Sequence, residues 1–237
     1  MAPRRILGIF AHPDDETSSC AGVFTQSAAQ GAHVTVVTAT RGEKGALGSG
    51  GLVIKREDLP RVREEEQRAV AGMIGVKDVV YLGYIDGEVK DVPLLELMGK
   101  LMGVMDRLQP DLVITFGPLG VSRHDDHIAI HEAATEAFHR HVAGRPDPNA
   151  VRLYYVAIPK DIADRFEMNL TGVEVNPNVV IDISAQRAAK VQALRSYRSQ
   201  EDAQMLAGMF EQYPDLSESF YQAYPPVPNG AVRTSLW

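Results

Sequence analysis

The sequence is short of cysteine, of long apolar runs and of positive charge. Cys20 is the only cysteine, so no intrachain disulfide can form, and we expect it to pack within a helix. The net charge of −7 disfavours nucleic acids and anionic membranes, which bind dense Lys and Arg surfaces. No segment approaches the roughly 20 apolar residues of a membrane span, and the first apolar run is too short for a signal peptide. We therefore expect a cytoplasmic protein without membrane insertion or a nucleic-acid partner.

The apolar residues form short continuous runs, which is typical of strands covered on both faces of a sheet. These runs lie at 6–11, 34–39, 79–82 and 112–116, with later strands indicated at 153–158 and 179–183. Helical stretches alternate with them at 17–30, 58–74, 92–108, 126–141 and 184–198.

The alternation of strands and helices predicts an α/β fold. We expect a Rossmann-like, doubly wound, mostly parallel sheet with helices on both faces. The chain length fits a single domain over 1–237, with a core at about 5–200 and an extended C-terminal tail at 213–237. In such folds the ligand lies beyond the carboxyl ends of the strands, so polar residues that follow a strand are the first candidates for function.

A polar cluster with one imidazole and three carboxylates follows the first strand, in the run His12-Pro13-Asp14-Asp15-Glu16. Neighbouring carboxylates repel one another, and a bound divalent cation relieves that repulsion. His12 and Asp15 can reach one ion, with Pro13 stiffening the turn, and Asp14 then points elsewhere and is available to act. The alternative is a set of acidic caps at a helix start, which does not explain His12.

A second cluster follows the fourth strand, in the run Ser122-Arg123-His124-Asp125-Asp126-His127, with His131 one helical turn later. A ligand from this cluster would complete a His, Asp, His set with one position left for water, as in zinc hydrolases. Taken alone, the cluster also fits a solvated helix start that is capped by an aspartate.

Together these residues resemble the LmbE-like, or PIG-L-like, N-acetylglucosaminyl deacetylases, which are zinc-dependent. The resemblance rests on 12–16 and 124–127, and it extends to Thr40-Arg41-Gly42-Glu43, to the helix with Arg63 and Glu66, and to 82–87, covering roughly residues 5–135. Later, Ser199-Gln200 is similar to a Ser-Gln pair of the family, whereas Tyr197 stands where a histidine is common.

The resemblance implies a role for each residue of the two clusters. His12, Asp15 and His127 are the expected zinc ligands. Asp14 is the expected general base on the metal-activated water, and His124 is expected to stabilise the oxyanion or to protonate the leaving amine.

Further residues receive supporting roles. We expect Asp126 to orient His124 or a ligand, and Glu43, Arg63 and Asp86 to serve as substrate-binding or scaffold positions. His131 is expected to be structural, although its i, i+4 spacing from His127 also suits a second zinc ligand.

The implied reaction is hydrolysis of an N-acyl amide, most simply an acetyl amide, on an amino sugar or a small molecule that contains N-acetylglucosamine. Zn²⁺ is the implied cofactor, and other divalent ions suit the same ligands. Family members assemble as trimers or hexamers, so a homo-oligomer is implied. Two alternatives stay open: an amidase for a non-sugar amide, such as a thiol S-conjugate or a secondary metabolite, and a metal-binding module without turnover.

Overall fold

The computed structural model describes residues 3–228 and 230–237. Its strands are β1 (Arg5–Phe10), β2 (His33–Thr38), β3 (Val76–Tyr81), β4 (Leu112–Thr115), β5 (Arg152–Val156), β6 (Val179–Asp182) and β7 (Ser217–Tyr224). Its α-helices are α1 (Asp15–Ala29), α2 (Leu59–Met73), α3 (Leu94–Leu108), α4 (Asp125–Ala143), α5 (Lys160–Arg165), α6 (Arg187–Ser196) and α7 (Glu201–Glu211). None of the described helices has the length and apolar content needed to cross a bilayer.

The strands form one mostly parallel sheet in the order β3-β2-β1-β4-β5-β7-β6. This order confirms the predicted doubly wound α/β fold. The chain runs outward from β1 to β3 and then returns to add β4 on the other side of β1. The reversal between β1 and β4 is the topological switch at which ligands bind in sheets of this kind.

The chain divides into two compact units, which we describe separately. The first unit comprises the described residues up to Ile9 together with Glu88–Ile181 and Ser219–Trp237. In it, β4 is parallel to β1 and to β5, and β7 is antiparallel to β5. All four residues of β4 are buried, as the apolar run at this position predicts. Helices α3 and α4 pack together through buried side chains such as Leu101 and Phe138.

The second unit comprises Phe10–Gly87 and Asp182–Glu218. Here β2 is parallel to β3, and α1 packs against α6. Cys20 is fully buried in α1 as expected, and its burial raises the pKa of the thiol well above the ordinary value. Cys20 therefore has a packing role, because its thiol stays protonated and only the thiolate is reactive.

A buried ion pair supports α1 within the second unit. The Lys190 ammonium donates to the Glu218 carboxylate at 2.6 Å and to the carbonyl of Ser18 at 2.6 Å. Glu218 in turn accepts hydrogen bonds from the amides of Gly22 and Val23, in the middle of the helix. The side chains of Lys190 and Glu218 are 2% and 3% exposed, so the two charges depend on each other and on the helix backbone.

We expect Lys190→Met to lower the free energy of unfolding by about 3 kcal/mol, because Glu218 would remain buried without its cation. Urea denaturation measures this change. Lys160→Met is the matched control, since it removes the cation of the exposed Lys160–Asp164 pair and should alter stability little. Equal losses in the two variants would contradict a special role for the buried pair.

The C-terminal part differs most from the sequence-based expectation. An extended tail is expected over 213–237, but Ser217–Tyr224 forms β7, a full member of the sheet. Glu218, Ser219 and Gln222 are buried polar residues of this strand. They interrupt the apolar pattern that identifies the other strands, so the sequence does not indicate a strand here.

Candidate active site

The turn that follows β1 holds His12 between two carboxylates of the second unit. Asp15 Oδ2 accepts a hydrogen bond from the His12 amide at 2.7 Å and lies 3.5 Å from His12 Nδ1. Asp86 Oδ1 lies 3.1 Å from His12 Nε2. All three residues are buried, at 6–8% exposure. The ring of His12 is therefore fixed in orientation, with an acidic group beside each nitrogen.

Asp86 is tied into the loop that carries Glu43. Its Oδ2 accepts a hydrogen bond from the Lys44 amide at 2.9 Å, and its own amide donates to Glu43 Oε2 at 3.0 Å. Burial alone would raise the pKa of the Asp86 carboxyl, but the hydrogen bond and charge of His12 outweigh burial and lower that pKa to about 2. Asp86 is thus an anion that orients His12.

Asp14 is held in an unusual backbone conformation by Arg63. Its φ of 99° lies in the left-handed region that non-glycine residues seldom adopt. Arg63 Nη2 donates to Asp14 Oδ2 at 2.9 Å and also to the Pro13 carbonyl. Burial raises the pKa of the Asp14 carboxyl well above its ordinary value, Arg63 opposes the rise and Asp15 adds to it. A carboxylate with a raised pKa suits proton transfer near neutral pH.

Gly42 makes room for Arg63. This glycine has a φ of +69°, and a Cβ at the same position would lie 2.1 Å from Arg63 Nη1. Arg63 is 4% exposed and its Nη1 donates to the Gly42 carbonyl. The sequence-based role of Arg63 in substrate binding stays a prediction, and the contacts in the structure support a scaffold role beside Asp14.

In the first unit, His127 lies at the start of α4 with a fixed ring. Its Nδ1 lies 2.9 Å from the carbonyl of Gly120, and its ring stacks on Phe116 with centroids 4.0 Å apart. A neutral ring that donates from Nδ1 presents its lone pair at Nε2, which is how metal-binding histidines are commonly oriented. His127 is 7% exposed.

His124 caps the same helix with its side chain. Its Nδ1 accepts a hydrogen bond from the Asp126 amide at 3.2 Å, so the neutral ring carries its proton at Nε2. His124 is exposed, and its ring centroid lies 5.1 Å from that of His127. Asp126 is fully buried, and its Oδ1 accepts a hydrogen bond from the Lys90 amide. In this tautomer Nε2 is the hydrogen-bond donor of the His124 ring.

His131 has a structural environment. Its Nδ1 lies 2.9 Å from the carbonyl of Phe116, and its ring meets the edge of Tyr155. Burial lowers the pKa of His131, which keeps the ring neutral. These contacts fit the structural role that the sequence analysis favours.

The donors of each unit are of the kinds that bind a divalent metal such as zinc. In the described part of the chain, the potential metal ligands are His12 and Asp86 in the second unit and His124, Asp126 and His127 in the first. Asp15 is outside that set, but its 3.5 Å distance from His12 Nδ1 is close to the roughly 3.4 Å that separates two ligands in a tetrahedral zinc site. The choice of His12, Asp15 and His127 as the ligands stays a prediction.

Comparison with known proteins decides the family. Residues 7–138 match the model of the family described as PIG-L, GlcNAc-PI de-N-acetylase. The chain belongs to the PIG-L family. A relative named as a probable N-acetyl-alpha-D-glucosaminyl L-malate deacetylase 2, from Bacillus cereus, is 30% identical over 85% of this chain and 86% of its own length. The chain is therefore a hydrolase of the N-acetylglucosaminyl deacetylase type.

Solved structures share the fold of this PIG-L member. N,N'-diacetylchitobiose deacetylase from Pyrococcus horikoshii matches with a TM-score of 0.67 and 22% identity, over 93% of this chain and 84% of that one. The 4-carboxy-2-hydroxymuconate hydratase GalB from Pseudomonas putida matches with a TM-score of 0.70 and 20% identity, over 94% and 98%. Both likenesses show the fold alone. Since a hydratase shares it, the chemistry has to be argued from the site.

Sequence reasoning missed Glu174, a residue that holds a loop of the candidate site in this PIG-L member. Glu174 accepts hydrogen bonds from the amides of Leu119 and Val121, and so fixes the loop whose Gly120 carbonyl orients His127. Burial raises the pKa of Glu174, and the two amides oppose that rise. No local motif marks this residue, because it lies more than 50 positions from the loop that it holds.

Proposed function

We propose that this chain removes an acetyl group from an amino sugar, or from a small molecule containing N-acetylglucosamine, by zinc-dependent hydrolysis of the amide. The observation that carries the proposal is the Asp14 carboxylate, which is 14% exposed and is held by Arg63 at 2.9 Å in the same turn as His12 and Asp15. A carboxylate in this place has the position of a general base next to a metal. Family membership supports the same chemistry.

In this proposal His12, Asp15 and His127 hold the zinc ion, and Asp86 and the Gly120 carbonyl orient the two imidazoles. When bound, zinc supplies a Lewis acid that polarises the amide carbonyl and makes water a better nucleophile at neutral pH. The donor set alone does not fix the metal, and another divalent ion is compatible with it.

The chain's own residues move the protons of the reaction. Asp14 accepts a proton from the attacking water as the water oxygen bonds to the amide carbon. His124 donates a hydrogen bond from Nε2 to the oxygen that gains negative charge. Asp14 then returns its proton to the amide nitrogen, the C–N bond breaks, and acetic acid and the amine leave. Transfer of the acid proton to the amine gives acetate and the ammonium form of the sugar. Asp126 supports His124, since its amide donates to His124 Nδ1.

The sugar contacts belong to the same proposal. Glu43, Arg63 and Asp86 line one loop region of the second unit, and their polar groups are the predicted partners of sugar hydroxyls. Asp86 forms an ion pair with His12, and Arg63 forms one with Asp14. These contacts support a scaffold role for Asp86 and Arg63. We also propose a cytoplasmic location and a trimeric or hexameric homo-oligomer. Light scattering tests the oligomeric state.

An amine-release assay tests the function directly. The substrates are N-acetylglucosamine, N,N'-diacetylchitobiose, and the malate and inositol conjugates of N-acetylglucosamine, with chelated protein and Asp14→Asn as controls. We expect release that requires both the metal and Asp14. If the zinc-loaded protein released no amine from any sugar but cleaved an amide of a thiol S-conjugate, the non-sugar amidase would replace the proposal. Zinc binding without turnover on any amide would indicate the metal-binding module.

We expect His124→Ala to lower kcat by about a hundredfold while zinc remains bound, because one donor to the developing oxyanion is lost. Steady-state kinetics together with metal analysis measure both quantities. His33→Ala is the control, since His33 lies in an exposed pair with Asp78 and should leave kcat unchanged. A His124→Ala protein with the wild-type rate would remove His124 from the mechanism.

A further inference from the structure

The side chain of Glu16 is a buried carboxylate that accepts four hydrogen bonds from neutral donors. Its Oε1 accepts from the hydroxyls of Tyr197 and Thr17 at 2.5 and 2.8 Å. Its Oε2 accepts from Gln67 Nε2 at 2.9 Å and from the Asp14 amide at 3.2 Å. Glu16 is 2% exposed. Because Gln67 Nε2 and the Asp14 amide can only donate, Oε2 of Glu16 has to act as an acceptor.

One of these four bonds reaches the backbone of Asp14. The Asp14 amide is in a turn with a φ of 99°, which is unfavourable for a residue with a Cβ. A conformation of this kind persists only where surrounding contacts fix it. The Asp14 carbonyl accepts hydrogen bonds from the amides of Thr17 and Ser18 at the start of α1. Arg63 holds its carboxylate, and Glu16 accepts from its amide.

Tyr197 is the partner of Glu16 that comes from farthest along the chain, 181 residues away. It lies at the end of α6 and is fully buried, so its hydroxyl has no water to exchange with. The other side of Glu16 is held by Gln67, whose Oε1 accepts a hydrogen bond from the Tyr81 hydroxyl at 2.5 Å. The Gln67 amide is therefore fixed with its NH₂ group towards Glu16.

We propose that Tyr197 is a positioning residue that acts through Glu16 to fix Asp14 in the conformation needed for proton transfer. This inference rests on the proposed function, in which Asp14 is the general base. Loss of the phenol hydroxyl removes one of the donors to Oε1 of Glu16. The carboxylate can then rotate away from the Asp14 amide, and the strained turn relaxes.

The test compares Tyr197→Phe with Tyr154→Phe. Both tyrosines are fully buried, and both hydroxyls are hydrogen-bonded. Tyr154 belongs to the first unit, where its hydroxyl donates to the Leu236 carbonyl, whereas Tyr197 belongs to the second unit. In Tyr197→Phe we expect kcat to fall about tenfold with KM within about twofold and with unchanged zinc content. In Tyr154→Phe we expect no change in any of the three.

Amide hydrogen exchange gives a readout that does not need activity. NMR of the chelated protein should show the Asp14 amide exchanging about tenfold faster in Tyr197→Phe than in wild type, with no change in Tyr154→Phe. If the wild type cleaves no substrate, the proposed function fails, and exchange still decides whether Tyr197 holds Asp14. Unchanged exchange, or faster exchange with unchanged kcat, overturns the inference.

A double variant tests whether Tyr197 acts through Glu16. Glu16→Ala removes the acceptor of all four hydrogen bonds and should itself lower kcat. Adding Tyr197→Phe should then have little further effect, because the acceptor it serves is already lost. If the two substitutions lowered kcat by fully additive amounts, the inference would be overturned.

If Tyr197→Phe does not fold, Tyr81→Phe replaces it, because the Tyr81 hydroxyl acts on the same carboxylate through Gln67. We expect Tyr81→Phe to lower kcat about threefold.

Discussion

Asp14→Asn should lower kcat by about a thousandfold or more while the protein keeps its zinc. Asparagine has nearly the shape of aspartate, and its carbonyl oxygen can still accept the hydrogen bond from Arg63. It cannot take a proton from the attacking water or return one to the leaving amine. The effect is therefore expected on kcat, with a small change in KM.

The measurement combines steady-state amine release with metal analysis of the same sample. Asp58→Asn is the control, because Asp58 precedes α2 with a side chain that is 47% exposed and pairs with Arg61 on the surface. It should leave both quantities at the wild-type level. An Asp14→Asn protein with full activity would mean that another group is the base. One that lost its zinc would mean that Asp14 belongs to the ligand set.

The first half of the fold was predictable because its strands are continuous apolar runs. β1, β2 and β4 lie within one residue of the predicted positions, since each is a buried and mostly apolar run. β7 and α7 were not predicted. Glu218 of β7 is a buried polar residue whose partners Gly22 and Val23 lie 196 and 195 positions away, and such partners leave no local periodicity.

The positions of the two polar clusters were predictable for a similar reason. Each follows a strand at the topological switch, so the polar residues from His12 to Glu16 form one local run. The supporting contacts were not predictable. Arg63 was expected to be a substrate-binding or scaffold position, but the sequence did not indicate that its guanidinium lies against Asp14, 49 residues earlier. The bond from Tyr197 to Glu16 joins residues 181 positions apart. Long-range hydrogen bonds of this kind depend on the finished packing, which no local pattern encodes.

The choice between His127 and His131 as a zinc ligand gives the second large effect. Both lie on one face of α4, one turn apart, so spacing alone does not separate them. The structure gives them different surroundings. His127 has its Nδ1 on the Gly120 carbonyl and its ring against Phe116, whereas His131 has its Nδ1 on the Phe116 carbonyl and its ring against Tyr155.

We expect His127→Ala to reduce bound zinc from about one ion per chain to below about 0.1, because three protein ligands are needed for a stable catalytic zinc site. His12→Ala should behave in the same way. His131→Ala should keep its zinc and lose about 1–3 kcal/mol of stability, since the Phe116 carbonyl would lose a buried hydrogen bond. Zinc analysis after dialysis and urea denaturation measure the two effects. If His131→Ala lost the metal and His127→Ala kept it, the ligand would be one turn further along α4, and His127 would instead be the group that supports the loop at Gly120.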